Sequence, residues 1–292
     1  MYPKPIERYF APTTITEALR LLGEYRGNAK LLAGGQSLMP MLKVRLLETQ
    51  CLIDLNRVQG LAEIREDGDG LCLGPMVRHA DVEANPLIRA NYPILADAAR
   101  VIGDPQIRNR GTIGGSLVHA DPAADYPAVV LALDARLTLT KSSAESRTVQ
   151  ASQFFLSPMI TAISDDELLT AILLPKPAAR SAGAYVKQSL VSGDFAIISV
   201  AAQLALDKGG RCERARIVIG GTASGATPAV RASELLAGNK LDEKLCRAAG
   251  EAAAREVEVS SDVRASAQYR RELIKSLVPT MIRRAQERAG GN

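Results

Sequence analysis

Two pairs of adjacent glycines in similar polar surroundings are the residues of this chain best suited to bind an anion. Gly34 and Gly35 end an apolar run, and Gly114 and Gly115 follow a β-branched pair. Glycine has no side chain, so several backbone N–H groups can face one anion without steric obstruction. Two such loops could together hold two linked phosphates. Either pair alone is equally consistent with a tight turn that binds nothing.

Other phosphate-binding motifs are absent from the sequence. There is no G-x-x-x-x-G-K-[ST], which excludes a P-loop. The glycine-rich residues 220–225 do not form G-x-G-x-x-G between a strand and a helix, and they are typical of a turn that follows a strand.

Residues 120–127 place two carboxylates, Asp121 and Asp125, among small side chains. A phosphate would repel a carboxylate, so we expect Asp125 to accept hydrogen bonds from ribose or ribityl hydroxyls, to order the loop, or to cap a helix. The two histidines, His79 and His119, are expected to be loop or core residues rather than proton carriers. No catalytic residue is therefore predicted.

The composition is that of a protein with two or three domains and a sizeable core. The chain has 292 residues, of which 36 are Lys or Arg, 32 are Asp or Glu and 47% are hydrophobic. A net charge of +4 gives no strong field for steering nucleic acid, and 4% aromatic residues provide few platforms for stacking bases. Nucleic acid is not an expected partner.

The N-terminal residues lack the apolar segment of a secretory signal, and the longest apolar stretch, residues 128–133, is too short to cross a bilayer. We therefore expect a cytoplasmic protein without a membrane span. The four cysteines, Cys51, Cys72, Cys212 and Cys246, are widely separated and form no C-x-x-C pair. They are expected to be free, buried thiols, and no metal site is predicted within the chain.

The apolar periodicity divides the chain into segments 1–56, 57–177 and 178–292. The first is predicted to be a β-α-β unit whose helix begins at a capping box, residues 14–17. The predicted elements are strands at 30–32 and 51–54 with a turn or short helix at 40–46 between them; strands at 61–64 and 70–73, a helix at 93–101 and strands at 135–140 and 168–174; then strands at 184–187, 196–206 and 214–220 and helices at 243–256 and from 269 onward.

Three details of this pattern are less regular. Residues 127–133 are compatible with either a buried helix or a buried strand. The proline-bounded residues 175–183 are predicted to be a linker. Pro279, inside the last apolar helical face, is predicted to kink that helix.

Three motifs together resemble one protein family. Residues 32–40 read LAGGQSLMP, residues 108–116 read RNRGTIGGS, and residues 120–125 read ADPAAD. In sequence and in separation they are similar to the motifs of the FAD-binding medium subunit of molybdenum hydroxylases, the family of carbon monoxide dehydrogenase and xanthine dehydrogenase. The resemblance covers essentially the whole chain, including a helical tail that contains Tyr269.

The resemblance implies which residues contact FAD. The first glycine loop, residues 31–38, would give main-chain amides to the pyrophosphate, and the second glycine loop, residues 112–116, would add further contacts. Four further kinds of contact are implied. Two residues would lie near the ring or adenine, one would contact the flavin nucleotide, two would form an apolar wall, and one would supply a cation. The implied residues are Leu31, Leu32, Ala33, Gly34, Gly35, Gln36, Ser37, Leu38, Thr112, Ile113, Gly114, Gly115, Ser116, Ile102 and Gly103 (ring or adenine), Asp125 (nucleotide), Leu168 and Leu169 (wall), and Lys187 (cation).

Two positions depart from the family pattern. Phe195 stands where relatives often carry a tyrosine beside the isoalloxazine, so any hydrogen bond from that hydroxyl is lost. Ser116 stands where many relatives carry asparagine.

The resemblance also implies an α+β fold. A two-part FAD-binding domain of the PCMH or vanillyl-alcohol-oxidase type, with subdomains 1–56 and 57–177, would precede a C-terminal α+β domain, 178–292, with a three-stranded antiparallel sheet and helices. The protein would be an oxidoreductase flavoprotein subunit. Electrons would come from a large molybdenum-cofactor subunit through [2Fe-2S] clusters of a small subunit, in a dimer of heterotrimers, and would leave FAD for NAD⁺, a quinone or oxygen.

Two alternatives remain open from the residues alone. One is a self-sufficient FAD-dependent oxidoreductase of the same binding fold, similar to UDP-N-acetylenolpyruvoylglucosamine reductase or vanillyl-alcohol oxidase. Gln36 stands where a histidine would be needed for covalent attachment of the flavin, and no catalytic acid is evident, which disfavours it. The other is a non-redox nucleotide-binding or scaffold protein, which only the turn-forming glycines favour. The substrate is not predicted, because its pocket would lie on another polypeptide.

Overall fold

The computed structural model describes residues 4–142 and 145–290. They form sheets of three, five and four strands, together with a two-stranded hairpin, and the helices pack around these sheets. Within those residues, no helix is both long enough and apolar enough to cross a membrane.

The N-terminal unit is a three-stranded parallel sheet in the order β1-β3-β2. The box at the start of α1 forms as predicted: the Thr14 hydroxyl accepts from the Glu17 amide at 3.2 Å, and the Glu17 carboxylate accepts from the Thr13 amide at 3.1 Å. The leucines of α1 pack against β3 in a first core. The elements are β1 (Arg8–Phe10), α1 (Ile15–Glu24), β2 (Ala29–Leu32), α2 (Leu38–Lys43) and β3 (Cys51–Asp54).

The middle unit is a five-stranded antiparallel sheet in the order β4-β5-β10-β6-β7, covered by short helices. Its elements are β4 (Ile64–Asp67), β5 (Gly70–Leu73), α3 (His79–Ala84), α4 (Pro86–Asn91), α5 (Pro93–Arg100), α6 (Pro105–Arg108), α7 (Ile113–His119), α8 (Asp125–Ala132), β6 (Arg136–Ser142), β7 (Glu145–Gln150), α9 (Ala151–Phe154), β8 (Phe155–Ser157), β9 (Ile160–Thr161) and β10 (Leu168–Pro175). The segment that the pattern left open is the helix α8. Every residue of α8 except Leu131 is buried, so it has no polar face to reveal a helical period.

The C-terminal unit is a four-stranded antiparallel sheet in the order β11-β12-β13-β14, followed by three helices. The expected three-stranded sheet was therefore one strand short. The additional strand has two residues, one of them a proline, which is too short to show alternation. The elements are β11 (Ser181–Gln188), β12 (Ile198–Leu206), β13 (Cys212–Gly220), β14 (Thr227–Pro228), α10 (Val230–Leu236), α11 (Glu243–Glu256) and α12 (Ala267–Gly290).

The C-terminal sheet is buried on both faces. Tyr185, Ala201 and Val218 belong to the core that includes α5 and α8. Their alternating neighbours, such as Ala184 and Ala202, belong to a second core with α11 and α12. Because side chains alternate across a strand, this sheet joins the middle unit to the C-terminal helices.

Two boundaries differ from the sequence prediction. The strand predicted at 61–64 begins only at Ile64, because Leu61 turns into the first core, fully buried, and its carbonyl accepts from the Met76 amide at 2.7 Å. The predicted linker is confined to residues 176–180, since β11 already begins at Ser181.

The helix α12 continues through Pro279. Gly250 of α11 packs there, and a Cβ at this position would lie 2.8 Å from the Lys275 carbonyl oxygen, the acceptor that proline leaves without its intrahelical donor. The kink itself stays a prediction.

Candidate functional site: a nucleotide cradle between two glycine loops

The first glycine loop presents a row of open backbone amides. It lies between the end of β2 at Leu32 and the start of α2 at Leu38. Among the residues that the structure describes, no protein acceptor takes a hydrogen bond from the amides of Gly34 through Leu38, whereas the next amide, Met39 N, donates to Gly35 O at 3.1 Å. Gly35 has φ +74°, a left-handed conformation that favours glycine. Successive open amides ahead of a helix form a concave anion-binding surface.

The two glycine loops are in direct contact. A Cβ on Gly34 would lie 2.6 Å from the Gly111 Cα and closer still to the Arg110 carbonyl oxygen. A Cβ on Gly115 would lie 3.6 Å from the Ala33 Cβ. The structure therefore brings together the two motifs that the sequence separates by about eighty residues, and glycine at position 34 is what allows the backbones to meet.

The second glycine loop does not offer free amides as the sequence suggested. It forms the N-cap and first turn of α7, not an open turn, and the amides of residues 113–116 bond within the chain. Ile113 N donates to Val77 O at 3.0 Å, Gly114 N to Pro75 O at 2.8 Å, Gly115 N to the Thr112 hydroxyl at 3.1 Å, and Ser116 N to Thr112 O at 3.1 Å. This segment supports the first loop, and its own contact with a cofactor stays a prediction.

A polar network under the first loop holds its backbone in place. Asn56 donates from Nδ2 to the Ala33 carbonyl at 3.0 Å, and Arg78 donates to the Asn56 side-chain oxygen and to the Arg110 carbonyl. Tyr9 donates to Asp54 at 2.6 Å on the same side. Sequence reasoning missed these residues, because single polar side chains far apart in the chain give no local motif.

Positive charge accompanies this network. Burial lowers the pKa of Arg78, and the nearby Arg110 lowers it further, since two cations repel each other. Burial alone would raise the pKa of Asp54, but hydrogen bonds from Tyr9 and Asn56 outweigh it and hold that pKa below its usual value. Two arginines beside open amides favour a ligand with negative charge.

Asp125 and Lys187 form a buried ion pair. Lys187 Nζ lies 3.1 Å from Asp125 Oδ2, with side-chain exposures of 4% and 7%, and the Tyr185 hydroxyl donates to Asp125 Oδ1 at 2.7 Å. Tyr185 and Lys187 face the same side of β11, which brings both to the first residue of α8. Burial raises the pKa of Asp125 although Lys187 and Tyr185 act in the opposite direction.

This pair fastens α8 to the C-terminal sheet. Asp125 occupies the first turn of the helix but does not cap it, because Ala124 is the N-cap residue. Within the described residues, neither Asp125 nor Lys187 makes a hydrogen bond to the glycine loops. Their contact with a nucleotide stays a prediction.

Ile102 and Gly103 lie beside the segment that carries Phe195. A Cβ on Gly193 would lie 2.8 Å from the Gly103 carbonyl oxygen, so the two loops touch. The Phe195 ring is 46% exposed, and the Arg264 guanidinium lies 5.7 Å from its centroid, within the range of a cation–π contact. The Phe195 ring thus has a cationic neighbour.

Leu168 and Leu169 occupy two different cores at the start of β10. Leu168 packs in the first core and is 3% exposed, and Leu169 packs in the core that includes α5 and α8 and is 2% exposed. Their side chains are therefore part of the packing, and any contact with a ligand would be made by their backbone.

His79 and the four cysteines are buried, as the sequence suggested. His79 is a core residue whose pKa falls to about 4, first because of burial and then because of Arg78 and Arg108. His119 is the last residue of α7. The four cysteines are free and buried, and the described residues contain no cluster of three or more His, Cys, Asp or Glu that could hold a metal ion.

Comparison with known proteins identifies two matching families. The model described as "FAD binding domain in molybdopterin dehydrogenase" matches residues 4–177. The model described as "CO dehydrogenase flavoprotein C-terminal domain" matches residues 184–285.

Individual relatives match along nearly the whole chain. The chain is 39% identical over 281 residues to the 6-hydroxypseudooxynicotine dehydrogenase complex subunit alpha of Paenarthrobacter nicotinovorans, covering 96% of this chain and 95% of that protein. It is 35% identical over 288 residues to the carbon monoxide dehydrogenase medium chain of Hydrogenophaga pseudoflava, covering 99% of each. A chain in a solved structure of carbon monoxide dehydrogenase from that organism, which lacks the Mo-pyranopterin moiety of the molybdenum cofactor, superposes with a TM-score of 0.93 at 37% identity and 99% coverage of both.

Proposed function

The chain belongs to the family of FAD-binding medium subunits of molybdenum hydroxylases, and we propose that it relays electrons from iron–sulfur clusters of a partner subunit to an external acceptor. As a member of this family it is the flavoprotein subunit of an oxidoreductase complex, and FAD is its cofactor. The observation that carries the proposal is the row of open amides at Gly34 through Leu38, a cradle for a diphosphate.

The residues present fit FAD in three respects. The first glycine loop leaves its amides unpaired within the described chain, and the absence of a Cβ on Gly34 lets this loop pack directly against the Arg110–Gly111 backbone. Arg78 and Arg110 add positive charge next to these amides. A diphosphate would therefore find hydrogen-bond donors and charge of the right sign at one place.

Each part of the chain then has a binding or orienting role. The amides of the first loop bind the diphosphate, and Asn56 holds the Ala33 carbonyl so that this loop keeps its shape. Asp125 and Lys187 fix α8 against the C-terminal sheet. Phe195 follows β11 of this sheet in the chain. When bound, FAD supplies the redox chemistry, and the protein contributes position and electrostatics.

The partners follow from this role. We infer a large molybdenum-cofactor subunit and a small [2Fe-2S] subunit, in a dimer of heterotrimers in the cytoplasm. We infer also that residues 1–56 and 57–177 are the two parts of the FAD-binding domain and that 178–292 is the third domain. We infer that the iron and molybdenum centres lie on these other chains; the described residues contain no cluster of three or more His, Cys, Asp or Glu that could hold a metal ion.

Purification and turnover test this proposal. The chain expressed with its neighbouring genes should co-purify with subunits that contain molybdenum and iron, and substrate oxidation should require all of them. FAD in the complex should be reduced by substrate, and the isolated chain with FAD should not be. Turnover of a small substrate by the isolated FAD-loaded chain would contradict the relay and favour a self-sufficient oxidoreductase.

A further inference from the structure

A second positively charged cavity lies away from the glycine loops, between the middle and C-terminal units. It has a volume of about 440 Å³ and is bounded by α3, α4, α5 and the last turns of α12. Four arginines line it, Arg89, Arg100, Arg284 and Arg288, and the only acids in its lining are Asp97 and Glu83. The size lies within the range of small-molecule sites.

Asp97 is the centre of this cluster and is 6% exposed. Arg288 approaches it through two nitrogens, at 2.7 and 3.1 Å, and Arg100 and Arg284 each approach it through one, at 3.2 and 3.5 Å. Its carboxylate also accepts from the Tyr185 amide on the edge of β11 at 3.3 Å. One carboxylate is thus shared among three guanidinium groups.

The second acid, Glu83, does not neutralise the excess positive charge of these arginines. Glu83 pairs with Arg108 outside the cavity lining, with 3.0 Å between Arg108 Nε and the carboxylate. Arg89, at the end of α4, is exposed, and its side chain makes no ion pair or hydrogen bond within residues 4–142 and 145–290. The arginines of the cavity therefore carry more positive charge than its acids neutralise.

A structural role explains only part of the cluster. Arg288 ties α12 to Asp97 and to the Gly183 carbonyl, at 2.7 Å, and this clamp covers the free edge of β11. Arg100 and Arg284 use one nitrogen each for Asp97 and retain further N–H groups, since a guanidinium has five donors. Arg89 takes no part in the clamp.

The lining also restricts the shape of a ligand. The remaining side chains are alanine and proline, and no aromatic ring stands where a nucleobase could stack. Guanidinium groups bind phosphate through paired hydrogen bonds, and lysine is absent from this lining. We propose that this cavity is a binding site for a compact phosphate anion, a diphosphate or a small phosphate ester, separate from the FAD site.

Calorimetric titration of the full-length, FAD-loaded chain tests the proposal. The probe is inorganic pyrophosphate, with ionic strength held constant by sodium chloride and FAD saturating so that the first glycine loop is occupied. Pyrophosphate should bind and raise the Tm. The double variant Arg89→Gln/Arg284→Gln should bind it at least about tenfold more weakly, because each charged hydrogen bond to phosphate is a strong one.

A matched control is Arg247→Gln, which removes an arginine that is 73% exposed on α11 and lies outside the cavity. It should bind pyrophosphate like the wild-type chain. ADP is the second probe: equal affinity for ADP and pyrophosphate would assign recognition to the diphosphate alone, and tighter binding of ADP would assign the site to nucleotides. No binding by the FAD-loaded chain, or equal binding by the double variant and the wild type, would overturn the proposal.

Discussion

Replacing Gly34 with alanine should disturb FAD binding more than the same change at either of two other glycines. The new Cβ would lie 2.6 Å from the Gly111 Cα, and a contact of at least 3.4 Å requires the loops to separate by about 0.8 Å. The neighbouring atoms belong to backbone and cannot rotate away. Overpacking of this kind costs about 1–3 kcal/mol. If that cost falls on the bound state, FAD binds roughly 5- to 150-fold more weakly.

Two matched variants make the test specific. In Gly115→Ala the Cβ would lie 2.8 Å from the Thr112 hydroxyl, a side-chain atom that can move at the expense of one helix cap, about 1 kcal/mol. In Gly23→Ala nothing lies within 4 Å and the residue is helical, so the variant should keep its FAD affinity and gain about 0.5–1 kcal/mol of stability.

Fluorescence titration of the FAD-free chains gives the affinities, and urea unfolding shows that each variant is folded. We expect the loss of affinity to rank Gly34 above Gly115 above Gly23. Equal FAD affinity in Gly34→Ala and Gly23→Ala would refute the argument that contact between the loops shapes the cradle.

Three further predictions concern the polar contacts. Hydrogen bonds from Arg147 are the first cause that holds the pKa of Glu167 at about 2. The folded chain therefore keeps Glu167 charged, while the unfolded chain takes up a proton near pH 4.5. The stability that this ion pair contributes is complete above about pH 4.5 and is lost as the pH falls toward 2. Arg147→Gln should lower the free energy of unfolding in urea by about 1–2 kcal/mol at pH 6 and should weaken the fall of stability between pH 4.5 and 2. An unchanged fall of stability in this pH range would argue against the ion pair. Lys187→Met leaves the Asp125 carboxyl buried without its cation and should lower the free energy of unfolding in urea by about 3–5 kcal/mol. Adding Asp125→Asn should recover part of that loss. A double variant less stable than Lys187→Met would contradict the pairing. Asn56→Ala should weaken FAD binding about fivefold in fluorescence titration by freeing a first-loop carbonyl, and unaltered affinity would exclude this support.

The sequence predicted the elements whose signals are local, and it left others, such as β1, α3, α4 and β7, unpredicted. The capping box at Thr14 and the apolar runs that became β3 and α11 each lie within about fifteen residues, and they appear at the expected positions. Two of the elements that it did not settle have a clear physical cause. The helix α8 lacks a polar face, and the strand β14 is too short to alternate.

The site was less predictable because its geometry depends on contacts between distant residues. The motifs identified Gly34 and Gly115, but only the folded chain brings them together, and only there does Asn56 reach the first loop. The amides of Gly114 and Gly115, expected to be open, are paired, because Thr112 caps a helix and its hydroxyl accepts from the Gly115 amide. Local sequence cannot specify which amides remain free, since their acceptors come from other segments.

The most direct test of the central claim is a crystal structure of the chain with FAD bound. We predict that the diphosphate oxygens lie within about 3 Å of backbone amides between Gly34 and Leu38, with the amides of α7 still bonded within the chain. A diphosphate bound elsewhere, for example among Arg89, Arg284 and Arg288, with the first loop unoccupied, would contradict the assignment of the cradle.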